Sequence, residues 1–343
     1  MNRIAYLGFS LLMILTAAIP ILAQAPTEPP DVTAYRTLYG EKDPAKQAEL
    51  SEKFLAETAA AFKDSMYREN TFSIMFRNYL QLQRWDKVLD AAEKMNQTVP
   101  NARPQVKVTT NTQAMAVAQQ TNNVPKTLEF GEKVLALDAN NLNALITLAP
   151  VLVARLPEEP SAKDAALAKA MEYAKKALAQ SKPANVPDAQ WTGVQSQMHS
   201  TIGFVHLNKL QYPEAIVEYE IALKADPKDA VDQWRLGLAY QGLARTAQGP
   251  VVEAYNKWND ARVAKADQAV IDDLDAQRIS LEKAFKEKRD KAIDTLAKAV
   301  ALGGAVAPLA RPTLETLYKS SHEGSLEGLD NLIAEKKAEL GVK

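Results

Sequence analysis

The stretch Ile202–Pro227, IGFVHLNKLQYPEAIVEYEIALKADP, decides how the chain is read. Small residues (Gly203, Ala215, Ala222) stand among large ones (Tyr219, Leu223) at helical spacing, in two segments separated near Leu210-Gln211-Tyr212-Pro213. Asp226-Pro227 then stops the second segment, since proline cannot continue a helix. The pattern recurs along the chain, and recurrence at a fixed period is the mark of a repeat architecture. Phe72, Met75, Tyr79, Trp85, Val88, Ala92 and Pro100 fill the same slots earlier, with bulky Phe76 in place of the glycine. Another unit runs through Ala114, Ala118, Gly131, Val134-Leu135 and Asp138, with its helix boundary near Asn122-Asn123. A further one has Leu145, Leu148-Ala149 and Leu152, then Ala170, Ala174 and Ala177-Leu178. The last opens with Leu236-Gly237 and Tyr240 and resumes only at Ala292, Leu296 and Ala299-Val300.

The unit at 202–227 resembles a tetratricopeptide repeat. The resemblance covers residues 69–301 well and the flanks loosely. It implies an all-α fold, an α-solenoid of tetratricopeptide-type helix pairs wound into a superhelix. Gly203 would sit where two helices cross closely, and Ala215 and Ala222 would line the return helix. One helix pair cannot bury its apolar face alone, so each leans on the next. Two repeats carry insertions. The interval from Leu152 to Ala170 is twice that from His206 to Ala215, which adds about nine residues at the turn. In the last repeat roughly 43 residues are added, and the inserted stretch is itself helical in pattern. Val263, Val270, Ile271, Leu274, Ile279, Leu281 and Phe285 alternate there with charges, which predicts one or two amphipathic helices projecting from the solenoid at about 244–288. An added helix pair, a partner-binding arm and a dimerising coiled coil all fit that pattern. Residues 44–62 read as one amphipathic capping helix carrying Leu50, Phe54, Leu55 and Thr58, and Arg311–Ser320 with Leu326–Leu340 as a closing pair.

Met1-Asn2-Arg3, an uncharged run from Ile4 to Leu22, and Ala23-Gln24-Ala25 form the three-part pattern of a secretory signal peptide. Pro26 directly after the Ala25 cut lacks the N–H that an extended substrate offers a protease, so cleavage after Ala23 is an alternative. An uncleaved N-terminal membrane anchor is the other reading. The expected organisation is a signal peptide at 1–25, a proline-rich extended linker at 26–43 and the solenoid at 44–343, of about five helix-pair repeats plus caps. The expected location is exported, periplasmic or secreted.

Composition supports the helical reading and narrows the chemistry. The chain of 343 residues has 56 alanines, 13 glycines and no cysteine. Alanine favours helix, and so few glycines leave little material for tight turns. The absence of cysteine excludes disulfides, zinc ribbons, thiol nucleophiles and a lipidated N-terminal cysteine. With 41 basic against 42 acidic residues there is no bulk attraction to nucleic acid or anionic membrane. No phosphate loop or nucleophile elbow is present, since Gly303-Gly304 reads as a helix C-cap. His199 and His206 lie seven apart, whereas zinc-binding pairs sit at i and i+4, so both are expected to pack. His322 reads as a turn residue, Asp272, Asp273 and Asp275 as a solvated face, and Trp85, Trp191, Trp234 and Trp258 as core or groove packing rather than a base-stacking platform.

The resemblance therefore implies a non-catalytic scaffold, without cofactor or metal, that binds a protein or peptide in a concave groove lined by the first helix of each pair. Carried over by slot, the groove residues are Asn70, Ser73, Arg77 and Gln81, then Thr109, Thr112, Gln119, Asn143, Gln197, Ser200, Phe204, Asn208, Trp234 and Gln241. Phe204 and Trp234 stand out as aromatic anchors in an otherwise neutral polar surface. With Arg77 its only charge, this set lacks the basic clamp that some relatives use for acidic C-termini. The alternatives are a structural subunit of an envelope assembly, working through the insertion or the convex face, and an accessory carbohydrate-binding protein.

Overall fold

The computed structural model describes residues 27–342, so the expected signal peptide lies outside the described residues. Among these, all regular structure is helical, and they divide into two compact units, the first ending at Arg84 and the second beginning at Trp85.

The first unit contains α1 (Pro30–Gly40), α2 (Pro44–Ala56), the short α3 (Ala60–Lys63) and α4 (Arg68–Gln81). The helix α1 corrects the expectation of an extended linker over 26–43. Its prolines, Pro29 and Pro30, fall just before and at the first helical position, where a missing N–H costs nothing. Beyond them Leu38 is buried against Phe54 and Ile74, and Tyr35 stacks on Tyr67 with ring centroids 4.2 Å apart. Buried Gln47 ties the unit together. Its amide donates to the Leu38 and Glu41 carbonyls at 3.0 and 3.1 Å, and its oxygen accepts from Asn78 at 2.9 Å. The single helix expected over 44–62 is interrupted at Glu57–Ala59, and Thr58 lies in the break.

The second unit begins with α5 (Trp85–Thr98) and continues as antiparallel pairs: α6 (Pro104–Gln120) with α7 (Val124–Leu137), α8 (Leu142–Ala154) with α9 (Pro160–Leu178), and α10 (Asp188–Asn208) with α11 (Tyr212–Ala225). Then come α12 (Ala230–Val263) with α13 (Gln268–Leu302), and the closing helices α14 (Ala307–Ser321) and α15 (Leu329–Glu339), both packed on α13. Capping residues open several of these helices. Asn123, Asn141 and Asp229 each accept a hydrogen bond from a backbone N–H in the first turn of the following helix.

The glycine slots make close contacts. A Cβ on Gly203 would lie 3.1 Å from the Tyr219 ring, one on Gly131 2.6 Å from Leu148, and one on Gly237 2.6 Å from Leu296. All three large partners are fully buried. The core thus depends on backbone approach at three crossings, α7 on α8, α10 on α11 and α12 on α13.

The two insertions lengthen existing helices. The extra residues between α8 and α9 become the start of α9, whose N-cap Glu159 accepts from the Ser161 and Ala162 N–H groups. The 244–288 stretch forms no separate pair. It extends α12 to 34 residues and α13 to 35, making one long antiparallel hairpin. The last buried residue on α12 is Ala244 and the first on α13 is Ala292. Between them the two helices meet around Trp258, whose ring lies beneath the Arg262 and Arg278 guanidinium groups at 4.6 and 4.9 Å.

Candidate functional site

A cleft of about 530 Å³ opens in the second unit where α8, α10 and α12, the first helices of three successive pairs, lie side by side. Pro150 and Val153 of α8 form one wall, and Thr192, Ser196, Gln197 and Ser200 of α10 form the floor. Val231, Asp232 and Arg235 of α12 complete it, together with Asp226 and Asp229 from the preceding turn. Ser196 donates to the Ala222 carbonyl at 3.0 Å and so fixes α10 to the end of α11.

Asp232 is the residue least expected in such a wall, because carboxylates are seldom fully buried without a partner. It is 3% exposed, and the Ser200 hydroxyl donates to it at 2.6 Å. Burial pushes its carboxyl up to about 6, against the opposing pull of the Ser200 hydrogen bond. Its own backbone N–H donates to the cap Asp229 at 2.9 Å. Arg235, one helical turn further on, lays its guanidinium 4.4 Å over the Phe204 ring, a cation–π contact.

The expected groove residues divide into several groups. Gln197 and Ser200 lie in this cleft. Phe204 does not stand free in it: it is half-buried under Arg235 and packs against Val205, Tyr219 and Tyr240 and their neighbours. Trp234 packs on the core formed by Ile293, Leu296 and Val306, with its indole N–H buried and unpartnered. Both aromatics therefore serve largely as packing, because adjoining helices in the stack cover first-helix slots that one repeat alone would leave open. Asn208 donates to the Phe204 carbonyl at 3.0 Å, and Gln241 is half-buried on α12. Thr109, Gln119 and Asn143 are exposed, and Thr112 is half-buried with its hydroxyl unpartnered.

In the first unit, Asn70 is exposed and Ser73 donates to the Glu69 carbonyl. Arg77 and Gln81 line a separate cleft of about 390 Å³ with Tyr39, Glu41, Lys42 and Gln47. Sequence reasoning missed Asp232 and Arg235. The one available signal was a second acid three residues after the Asp229 cap.

The histidines have local partners: His199 pairs with Glu218 at 2.7 Å, His206 with Gln211 at 2.8 Å, and His322 stacks on Tyr318. Among the described residues there is no group of three His, Cys, Asp or Glu side chains placed to hold a metal ion. Asp272, Asp273 and Asp275 are engaged by Gln268, Gln277 and Arg278 along α13.

Stacked antiparallel helix pairs, with a glycine in close contact at three of the crossings, make the second unit an all-α solenoid of helix pairs. No protein-family model matches the chain, and neither does any curated protein. Among solved structures it is similar to a tetratricopeptide repeat protein from Parabacteroides merdae ATCC 43184, at 11% identity over 83% of this chain and 99% of that one, with a TM-score of 0.37.

Proposed function

We propose that the protein is a non-catalytic scaffold of the cell envelope or secreted space that holds a protein or peptide segment in the cleft between α8, α10 and α12. The observation that carries this reading is the cleft itself. It is an open, mixed polar and apolar trough across three repeats, with a buried carboxylate and an arginine held rigidly by their neighbours. Such preorganised polar groups reduce the ordering cost that a bound segment otherwise imposes. The basic start, apolar run and small-residue site at 1–25 support export. Among the described residues no helix is long and apolar enough to cross a membrane. A carbohydrate-binding role loses its main support, because Phe204 and Trp234 are engaged in packing.

The test is a photo-crosslinking residue placed at exposed Thr192, compared with one at Lys224, outside the cleft. The Thr192 probe should capture a discrete partner in the native compartment and the Lys224 probe should not. Gln197→Trp, which fills the trough from an exposed position, should abolish that capture while leaving the melting temperature within a few degrees. Equal capture from both positions, or capture unaffected by the blocking tryptophan, would place binding elsewhere.

A further inference from the structure

We propose that the projecting α12–α13 hairpin is a self-association arm, and that two copies pair through it in antiparallel fashion. From Arg245 to Lys288 no residue is buried, although the arm extends about 30 Å beyond the body at 1.5 Å per residue. On α12, Val252, Tyr255, Asn259 and Val263 follow the i, i+3, i+7, i+11 spacing of one helix face. Val252, Tyr255 and Val263 are 53%, 50% and 75% exposed. On α13 the matching face is Asp272, Asp275, Ile279, Glu282 and Lys286, at alternating steps of three and four, and Ile279 is also exposed. That both faces lie on one side of the hairpin follows from a shared cleft of about 510 Å³, lined by Val252 and Tyr255 from α12 and by Glu282, Phe285 and Lys286 from α13. Tyr255 already leans on Trp258, and the α13 carboxylates are paired along their own helix, but Val252, Val263 and Ile279 stay exposed at helical spacing, and such residues are what one half of a helix–helix interface presents.

Charge identifies the other half. Residues 260–275, at the tip, carry five acids against two bases. The remainder of the arm, 245–259 with 276–288, carries six bases against three acids. A parallel pairing would set like charges together, whereas an antiparallel second copy brings each acidic tip against a basic root. The same arrangement seats Val263 of one copy over the cleft between Val252 and Phe285 of the other, and the reverse contact follows by symmetry. This is the self-complementarity that a two-fold interface requires. A face roughly 30 Å long and two helices wide offers about 600 Å² per copy, at the lower end for a specific interface, which places the dimer among weak, reversible ones.

Sedimentation velocity of the chain beginning at Pro26, between about 1 and 100 µM, tests the proposal over a range suited to a weak dimer. The wild type should pass from monomer to dimer, and Val263→Asp should weaken the dimer at least tenfold. Asp267→Lys with Asp272→Lys should give a monomer, as should Lys283→Glu with Lys286→Glu. An equimolar mixture of these two charge-reversed chains should dimerise again, because each reversed tip then meets a reversed root and each native tip a native root. Recovery in the mixture also shows that both variants are folded. A wild type that stays monomeric to 100 µM, reversed chains that dimerise like the wild type, or a mixture that remains monomeric would each overturn the antiparallel arm.

Discussion

At the scale of single residues, α10 contains two glycines that should respond oppositely to substitution. Gly203 faces the fully buried Tyr219 ring, which has no room to move. Gly203→Leu should overpack that crossing and cost about 1–3 kcal/mol in chemical denaturation. Gly193 meets nothing within 4 Å, so Gly193→Ala should stabilise the same helix by up to about 1 kcal/mol through propensity alone. Equal effects of either sign would mean that Gly203 is not at a close approach. Asp232 gives a second residue-level prediction. Burial raises its folded-state carboxyl from the ordinary 3.8 to about 6, so the native state holds a proton over the window in which the unfolded chain has lost it. Its contribution is therefore full below about pH 4 and is lost as pH rises through 6, amounting to about 2–3 kcal/mol. Asp232→Asn, which can still accept from Ser200, should remove this slope and match or exceed the wild type at pH 7.5 in urea melts. Parallel pH curves for the two proteins would refute it. The Gly203–Tyr219 contact was legible because both residues lie in one repeat at a known spacing. The Ser200–Asp232 bond was not, because it joins residues 32 apart on successive first helices. A pattern read within one repeat carries no information about which side chains meet across the seam.

At the scale of elements, helix placement followed apolar periodicity through the later repeats, but the unit expected over 72–100 is divided, α4 packing on α2 in the first unit and α5 on α6 in the second, and the ends and insertions also departed from the pattern. The first helix escaped notice because its prolines lie in the turn that tolerates them, while the residues that bury it, Tyr35 and Leu38, come later. The long insertion carried a correct helical signal, but periodicity within a helix does not say whether that helix is new or a continuation. The phase does. Gly237 and Leu296 keep their repeat contact although 58 residues of sequence separate them, so the added residues must enter and leave at matching heights. With no buried residue between Ala244 and Ala292, the arm contributes little to the core below it. Excising residues 249–286 and closing the hairpin with a short glycine-containing turn should leave a cooperatively folded body, melting within a few degrees of the full chain. It should also remove any self-association. A collapse of the body's cooperative transition would show that the arm is needed for folding.

At the scale of the whole molecule, 41 basic against 42 acidic residues leave no bulk electrostatic attraction to nucleic acid, and the proposed export rests on the pattern of residues 1–25. Mass spectrometry of the chain from its native source should find an N-terminus near Gln24 or Pro26, and an intact Met1 in a soluble cytoplasmic fraction would defeat that expectation. The manner in which the hairpin is lengthened also sets a geometric rule. Because both helices grow outward from a shared turn, the tip can be moved without any change to the repeats beneath it. Removing seven residues from each helix, nearly two full turns, would draw the tip in by about 10 Å and leave its working side facing almost the same way. Removing two from each would shorten it by only about 3 Å yet turn the outer residues of each helix by roughly 200° about that helix's own axis, carrying Trp258 out of the seam. The protein thus carries a ruler graduated in heptads, on which reach can be reset while the bearing is kept.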